Sequence, residues 1–229
     1  MDTNKLKGKH FTASYSGGKD SIFAIYRAIK AGLVPLELIT TYNTDVNRSW
    51  FHGVTENLLQ EVSASLAIPV RLIKTPGDQY TENFEQALTK AKEKGAEVCV
   101  FGDVDIEGHI EWCTARCEAT GLIPFFPLFG ENRKKLVYDF IDTGFMTVIT
   151  IVDTSRMPKN VLGQTLTREI AEYIQASGAD ICGENGEYHT FTYDGPIFSK
   201  AIEYVIQETI ERDKYAILNI DGSQPSRPL

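Results

Sequence analysis

Apolar residues recur along the first hundred positions in two alternating rhythms. His10–Tyr15 is a short β-favouring run that ends in a Gly-Gly turn, and Ser21–Ala31 follows with helical spacing, closed by Gly32. Ile22, Phe23, Ile25, Tyr26 and Ile29 cover most of that segment's circumference, which predicts a helix buried between a sheet and other elements. The alternation continues with strand Pro35–Tyr42, helix Thr55–Leu66, strand Val70–Ile73, helix Thr81–Lys94 and strand Glu97–Phe101. Strands and helices alternating at this spacing predict a parallel sheet covered on both faces, an α/β core over residues 1–105.

Residues 106–229 are less regular and read as a smaller α+β region. Glu107–Glu118 has helical spacing, and Arg133–Asp142 is a second helix after the Pro-rich stretch Pro124–Pro127. Met146–Val152 is a strong strand, and Thr167–Ser177 a helix closed by Gly178. Two β-like runs, Ile202–Ile210 and Tyr215–Ile220, flank the charged turn Glu211–Lys214 and predict a hairpin. That hairpin is a candidate for pairing across a homodimer, and Gly222–Leu229 is expected to fray.

Composition narrows the class. A chain of 229 residues, 42% hydrophobic and 24% charged, can bury a full core without disulfides. Its net charge of −8 argues against broad, charge-driven binding to nucleic acid. No run is apolar enough to span a bilayer, and Met1–His10 has no secretory apolar core. Cys99, Cys113, Cys117 and Cys182 suggest no disulfide framework, so a reducing cytoplasm is the simplest expectation. His109, Cys113 and Cys117 share one helix face, but a zinc site there lacks a fourth ligand, so packing is expected.

Candidate chemistry sits first in Ser16-Gly17-Gly18-Lys19-Asp20-Ser21, between the first strand and the first helix. The glycines let the backbone turn tightly, the helix start offers unpaired N–H groups, and Lys19 adds a full positive charge. Such a nest suits pyrophosphate. It is not a Walker A loop, because Ala13 and Asp20 stand where that pattern needs Gly and Ser or Thr. The six residues resemble the pyrophosphate loop of the N-type ATP pyrophosphatases. That resemblance implies a nucleotide α-hydrolase-like fold, and a loop that holds the β- and γ-phosphates of ATP with Mg²⁺ while the α-phosphate is attacked.

A second motif, Cys182-Gly183-Glu184-Asn185-Gly186-Glu187-Tyr188-His189-Thr190-Phe191, packs two carboxylates, an amide and a histidine into ten residues. By itself it is equally a tight turn leading into a strand. With the first loop, and with Gly102-Asp103-Val104, Pro127-Leu128-Phe129, Gly144-Phe145 and Asp194–Phe198, it resembles the diphthine–ammonia ligase family over nearly the whole chain. The resemblance implies adenylation of the diphthine carboxylate on elongation factor 2, then displacement of AMP by ammonia. With no glutaminase domain visible, free ammonia is the expected donor. Diphthamide belongs to eukaryotes and archaea, so a bacterial chain would act on a different carboxylate.

The candidate site follows. Lys19 and the loop amides are expected to stabilise pyrophosphate charge. Asp20 and Asp103 are candidate Mg²⁺ ligands. Tyr42 and Asn43 follow the second strand, where related folds contact adenine, and Gly102 lies beside Asp103 after the fourth. Glu184 and Glu187 are candidates for holding the trimethylammonium group or accepting a proton from ammonium, and His189 for acid–base work. Trp50, Phe51 and His52 open a loop that either approaches this site or packs on the core. Two other classes stay open. One is an ATP pyrophosphatase acting on another carboxylate or a tRNA base, against which stand the acidic balance and the absence of Cys-x-x-Cys. The other is a non-catalytic adenine-nucleotide sensor, in which the dense polar motif has no purpose.

Overall fold

The computed structural model describes residues 3–45, 48–49, 52–76 and 79–223. Trp50 and Phe51, and the tail residues 224–229, lie outside them. The elements run β1 (His10–Ser14), α1 (Lys19–Lys30), β2 (Val34–Asn43), β3 (Arg48–Ser49), α2 (Glu56–Leu66) and β4 (Val70–Thr75). Next come α3 (Tyr80–Glu93), β5 (Val98–Val100), α4 (Glu107–Thr120), β6 (Ile123–Phe125), α5 (Arg133–Asp142) and β7 (Met146–Asp153). The remainder is α6 (Arg168–Ala176), β8 (Tyr188–Asp194), β9 (Tyr204–Arg212) and β10 (Tyr215–Gly222). Among the described residues, no helix is long and apolar enough to cross a membrane.

These elements form two compact units. The first comprises Met1–Ser16, Asp20–Trp50 and Ala67–Gly130; the second comprises Gly17–Lys19, Phe51–Leu66 and Glu131–Leu229. In the first unit β4, β2, β1, β5 and β6 lie side by side and parallel, and β3 adds a short antiparallel bridge to the end of β2. The expected α/β fold with a parallel sheet is present. Helix α4 and strand β6, which follow residue 105, belong to this same unit.

A single apolar cluster explains how α3 and α4 pack on this sheet. Phe84, Ala87, Leu88 and Ala91 from α3 meet Cys113 and Cys117 from α4, with Ile39, Ile73, Cys99 and Phe101 from the sheet side. The three thiols are core atoms. Burial, first of all, pushes the thiols of Cys99 and Cys113 up, away from the thiolate that a metal would need. Beneath the cluster's edge, the buried Glu37 carboxylate meets Arg71 at 2.6 Å and Lys94 at 2.7 Å, so its charge is paired rather than stranded.

In the second unit β8, β7, β10 and β9 form an antiparallel sheet, and β9–β10 is the hairpin read from the sequence. Helix α2 buries Leu58, Leu59, Val62 and Leu66 and packs on β10. The Thr55 hydroxyl donates to Asp221 Oδ1 at 2.7 Å, and a Cβ on Gly222 would come within 2.5 Å of Asn57 Nδ2. Strand β9 is the open edge of this sheet; its residues are exposed or half-buried, and Glu208, Glu211 and Arg212 guard it with charge.

Candidate active site

The loop after β1 is built by contacts that only these residue types allow. Gly17 has φ +93, and a Cβ there would sit 2.9 Å from Val54 Cγ2. At Gly18 a Cβ would fall 2.3 Å from His52 Cε1, so the imidazole occupies the space that any side chain here would need. The Ser16 hydroxyl lies 3.2 Å from that of Ser21, which closes the loop on itself.

Lys19 joins the two sequence motifs. Its backbone N–H, at the start of α1, donates to Thr190 Oγ1 at 3.1 Å. Its ammonium donates to the carbonyl oxygen of Cys182 and lies 5.4 Å from the centre of the Tyr188 ring. The residue is 5% exposed. The Gly17 carbonyl accepts from Thr192 N at 2.9 Å, so strand β8 runs alongside the loop.

The turn before β8 is held by two carboxylates. Asp180 accepts from Cys182 N at 3.1 Å and Glu184 N at 3.0 Å, and pairs with Arg133 at 2.6 Å. Glu187, buried, accepts from Asn185 N and Nδ2, both at 3.1 Å. The Tyr188 hydroxyl donates to the carbonyl of Ile181 at 2.7 Å. A turn braced at this many points sets the Cys182 carbonyl where Lys19 meets it. Asp180 and Arg133 carried no signal in the sequence, because neither stands inside a recognisable motif.

His52 was read only as part of an aromatic loop, yet it stands beside His189. The ring centres are 4.9 Å apart and the planes cross at 71°. His52 Nδ1 lies 2.8 Å from the Thr190 carbonyl, which can only accept, so Nδ1 carries the proton and Nε2 a lone pair. Burial, followed by the His189 and Lys19 charges, lowers the His52 pKa to about 3 against the raising pull of that carbonyl. Burial and then Lys19 lower His189 to about 4. Both rings are neutral at pH 7.

A stability prediction follows. The folded values lie below the ordinary 6.5 of histidine, so on acidification from pH 6.5 towards 4 the unfolded chain binds protons that the folded chain refuses. Stability therefore falls as pH drops through that window. His189→Asn removes one such group. Relative to wild type it should gain about 1–2 kcal/mol in urea denaturation on going from about pH 7 to about pH 4.5.

In the first unit, Gly102 abuts the end of the loop at Asp20 and Ser21. A Cβ there would lie 2.8 Å from both Asp20 C and Ser21 N. Asp103 follows, with His109 Nδ1 3.3 Å from one carboxylate oxygen and Cys113 Sγ 3.9 Å from the other. Burial pushes the Asp103 pKa up; His109 lowers it and the Asp20 charge adds to the rise. Tyr42 is buried in β2, and the Asn43 side chain accepts from Asp45 N at 2.8 Å, shaping the turn that follows.

Comparisons with known proteins match this arrangement to one family. Residues 9–124 match the diphthamide synthase N-terminal domain and residues 132–223 the diphthamide synthase C-terminal domain. A human diphthine–ammonia ligase is 27% identical over 222 residues, covering 83% of this chain and 80% of that protein. The rat diphthine–ammonia ligase is 26% identical, covering 86% of this chain and 84% of its own length. A crystal structure described as a predicted subunit of tRNA methyltransferase from Methanocaldococcus jannaschii aligns with a TM-score of 0.45 at 17% identity, covering 84% of this chain and 100% of that one. The chain belongs to the diphthamide synthase family and is an ATP-dependent ligase.

Proposed function

We propose that this chain amidates the carboxylate of diphthine on elongation factor 2, activating it with ATP and using free ammonia as the nitrogen donor. A carboxylate oxygen attacks the α-phosphorus and the bond to the bridging oxygen of pyrophosphate breaks. Ammonia then attacks the acyl carbon, the bond to AMP breaks, and a proton leaves the nitrogen. Adenylation is needed because a carboxylate is a poor electrophile and AMP a good leaving group. The observation that carries the reading is the meeting of Lys19 with the Cys182–Thr190 segment, in a chain whose relatives are diphthine–ammonia ligases.

Lys19 and the loop backbone are assigned to charge on the departing pyrophosphate. Asp20 and Asp103 are assigned to Mg²⁺, which would neutralise phosphate charge when bound. Tyr42, Asn43 and Gly102 are assigned to the nucleotide. Glu184 is assigned to the trimethylammonium group of the substrate. Glu187, with both oxygens engaged by Asn185, is assigned to holding the turn. In this reading residues 1–105 mainly carry ATP and residues 106–229 mainly carry the acceptor, and the four free thiols suit a cytoplasmic setting.

The test incubates the protein with ATP, Mg²⁺, ammonium and diphthine-bearing elongation factor 2, then quantifies AMP, pyrophosphate and amide. Equal amounts of all three are expected. ADP as product overturns the mechanism. AMP and pyrophosphate without amide keep the α–β cleavage and remove the substrate, whereas nucleotide binding without turnover leaves a sensor.

A further inference from the structure

The open edge of the parallel sheet carries a second concentration of positive charge, apart from the phosphate loop. A groove of about 290 Å³ runs between β4 and α3, within the first unit. Arg71, Lys74 and Lys90 line it together with the amides of Asn83 and Gln86, and no carboxylate is among its lining residues. Asn83, Gln86, Ala87 and Lys90 stand at i, i+3, i+4 and i+7, so one face of α3 supplies that wall. In a chain of net charge −8, a concavity with three cations and no acid runs against the composition.

Arg71 shows what the groove is short of. Its Nη2 donates to Glu37 Oε1 at 2.6 Å and to the Ala87 carbonyl at 2.7 Å, which fixes the guanidinium between the sheet and α3. Its Nε is buried and meets no acceptor among the described residues. Buried donors are normally satisfied by protein, by water or by a bound ion. Glu37 is already shared with Lys94 at 2.7 Å, so positive charge stays in excess. The exposed Glu82 accepts from Gln86 at 3.3 Å, where solvent screens it.

We propose that this groove is a second anion site, which takes inorganic phosphate or pyrophosphate. A phosphate group offers several oxygens, and charge-assisted hydrogen bonds from an arginine and two lysines suit it. The backbone adds a donor. The Pro69 carbonyl accepts from Leu38 N at 2.8 Å, and the parallel ladder then turns the Leu72 N–H away from β2, on the groove side of the strand. Pockets that enclose drug-sized ligands span about 300–1,000 Å³, so this one suits a phosphate or pyrophosphate rather than a nucleotide. Bound there, the anion offsets the mutual repulsion of the cations and ties β4 to α3, which stabilises the folded chain. The site does not depend on the amidation reading. Strand β4 lies two strand spacings, about 10 Å, from β1, and none of the groove residues is assigned to ATP or the acceptor.

The experiment titrates the full chain with sodium phosphate, and separately with pyrophosphate, by calorimetry at pH 7 and constant ionic strength. A Lys19→Met parent removes the ammonium of the phosphate loop, so that saturable binding reports the groove. Two further changes are made in that parent. Lys90→Glu reverses an exposed charge, and Arg71→Lys keeps a cation for Glu37 while removing Nε. Each is expected to weaken the anion about 10-fold or more, the loss of one hydrogen bond to a charged group. The rise in melting temperature that phosphate gives the parent should shrink in both. Lys90→Glu should melt like its parent in phosphate-free buffer. Saturation by either anion, weakened in both variants, upholds the site and names its ligand. No saturable heat with either anion overturns the proposal and leaves a water as the partner of Arg71 Nε. Parent-like affinity in either variant also overturns it, because the anion then sits elsewhere.

Discussion

Replacing Lys19 with methionine will cut pyrophosphate formation by about 10²–10³-fold, as expected when a positioned charge at a developing oxyanion is removed. Methionine keeps the length of the stem, and the site loses its ammonium and the hydrogen bond to the Cys182 carbonyl. The lost contact costs about 1 kcal/mol, which lowers the melting temperature of a chain this long by about 2–4 °C. Activity and stability thus separate. A Lys19→Met protein that melts near wild type and still forms pyrophosphate at a tenth of the normal rate or better would exclude Lys19 from the chemistry.

The second large effect belongs to Gly102. Alanine there places a methyl carbon 2.8 Å from Asp20 C and Ser21 N and 2.9 Å from Asp20 O. These are backbone atoms at the start of α1, and that helix is anchored by Ile22 and Ile25, both fully buried. The loop cannot yield without moving the helix. Gly102→Ala should cost about 1–3 kcal/mol in chemical denaturation, the range for forced overpacking. A residual shift of about 1 Å in the loop should cost a further factor of about 10² in turnover. A Gly102→Ala protein with wild-type turnover would mean the loop geometry does not govern the reaction.

Much of the fold was legible because its signals are local. The β1–loop–α1 unit, α3 and the β9–β10 hairpin each announce themselves through periodicity and bounding turns. Strand β6 did not, because Pro124 and Pro127 read as a break. Among the described residues the strand is an edge, paired with β5 alone, where a missing N–H removes no partner on the open side. Strand β8 was legible only as whatever follows the turn at Asn185-Gly186. The apolar stripe of α2 says that the helix is buried but not against what, and nothing in residues 56–66 indicates β10.

The site divides the same way. Lys19 and the Glu184–His189 motif were visible as dense chemistry in short windows, and the structure brings Lys19 to Cys182, Tyr188 and Thr190. His52, Asp180 and Arg133 were not visible as a group. A lone histidine in an aromatic loop and one Asp–Arg pair 47 positions apart have no local pattern, and they gain meaning only through tertiary contact.

The pairing of α2 with β10 bears on the order in which the protein can mature. Thr55 meets Asp221 across 166 positions, and Lys19 meets Cys182 across 163. During synthesis, at about 5–20 residues per second, α2 leaves the ribosome several seconds before its partner strand exists. Until then Leu58, Leu59 and Val62 have no strand to cover them. The phosphate loop likewise lacks the carbonyl and hydroxyl that Lys19 uses. A nascent chain therefore carries a conspicuous nucleotide motif long before it has a working one, and ATP cleavage waits for the later half of the chain.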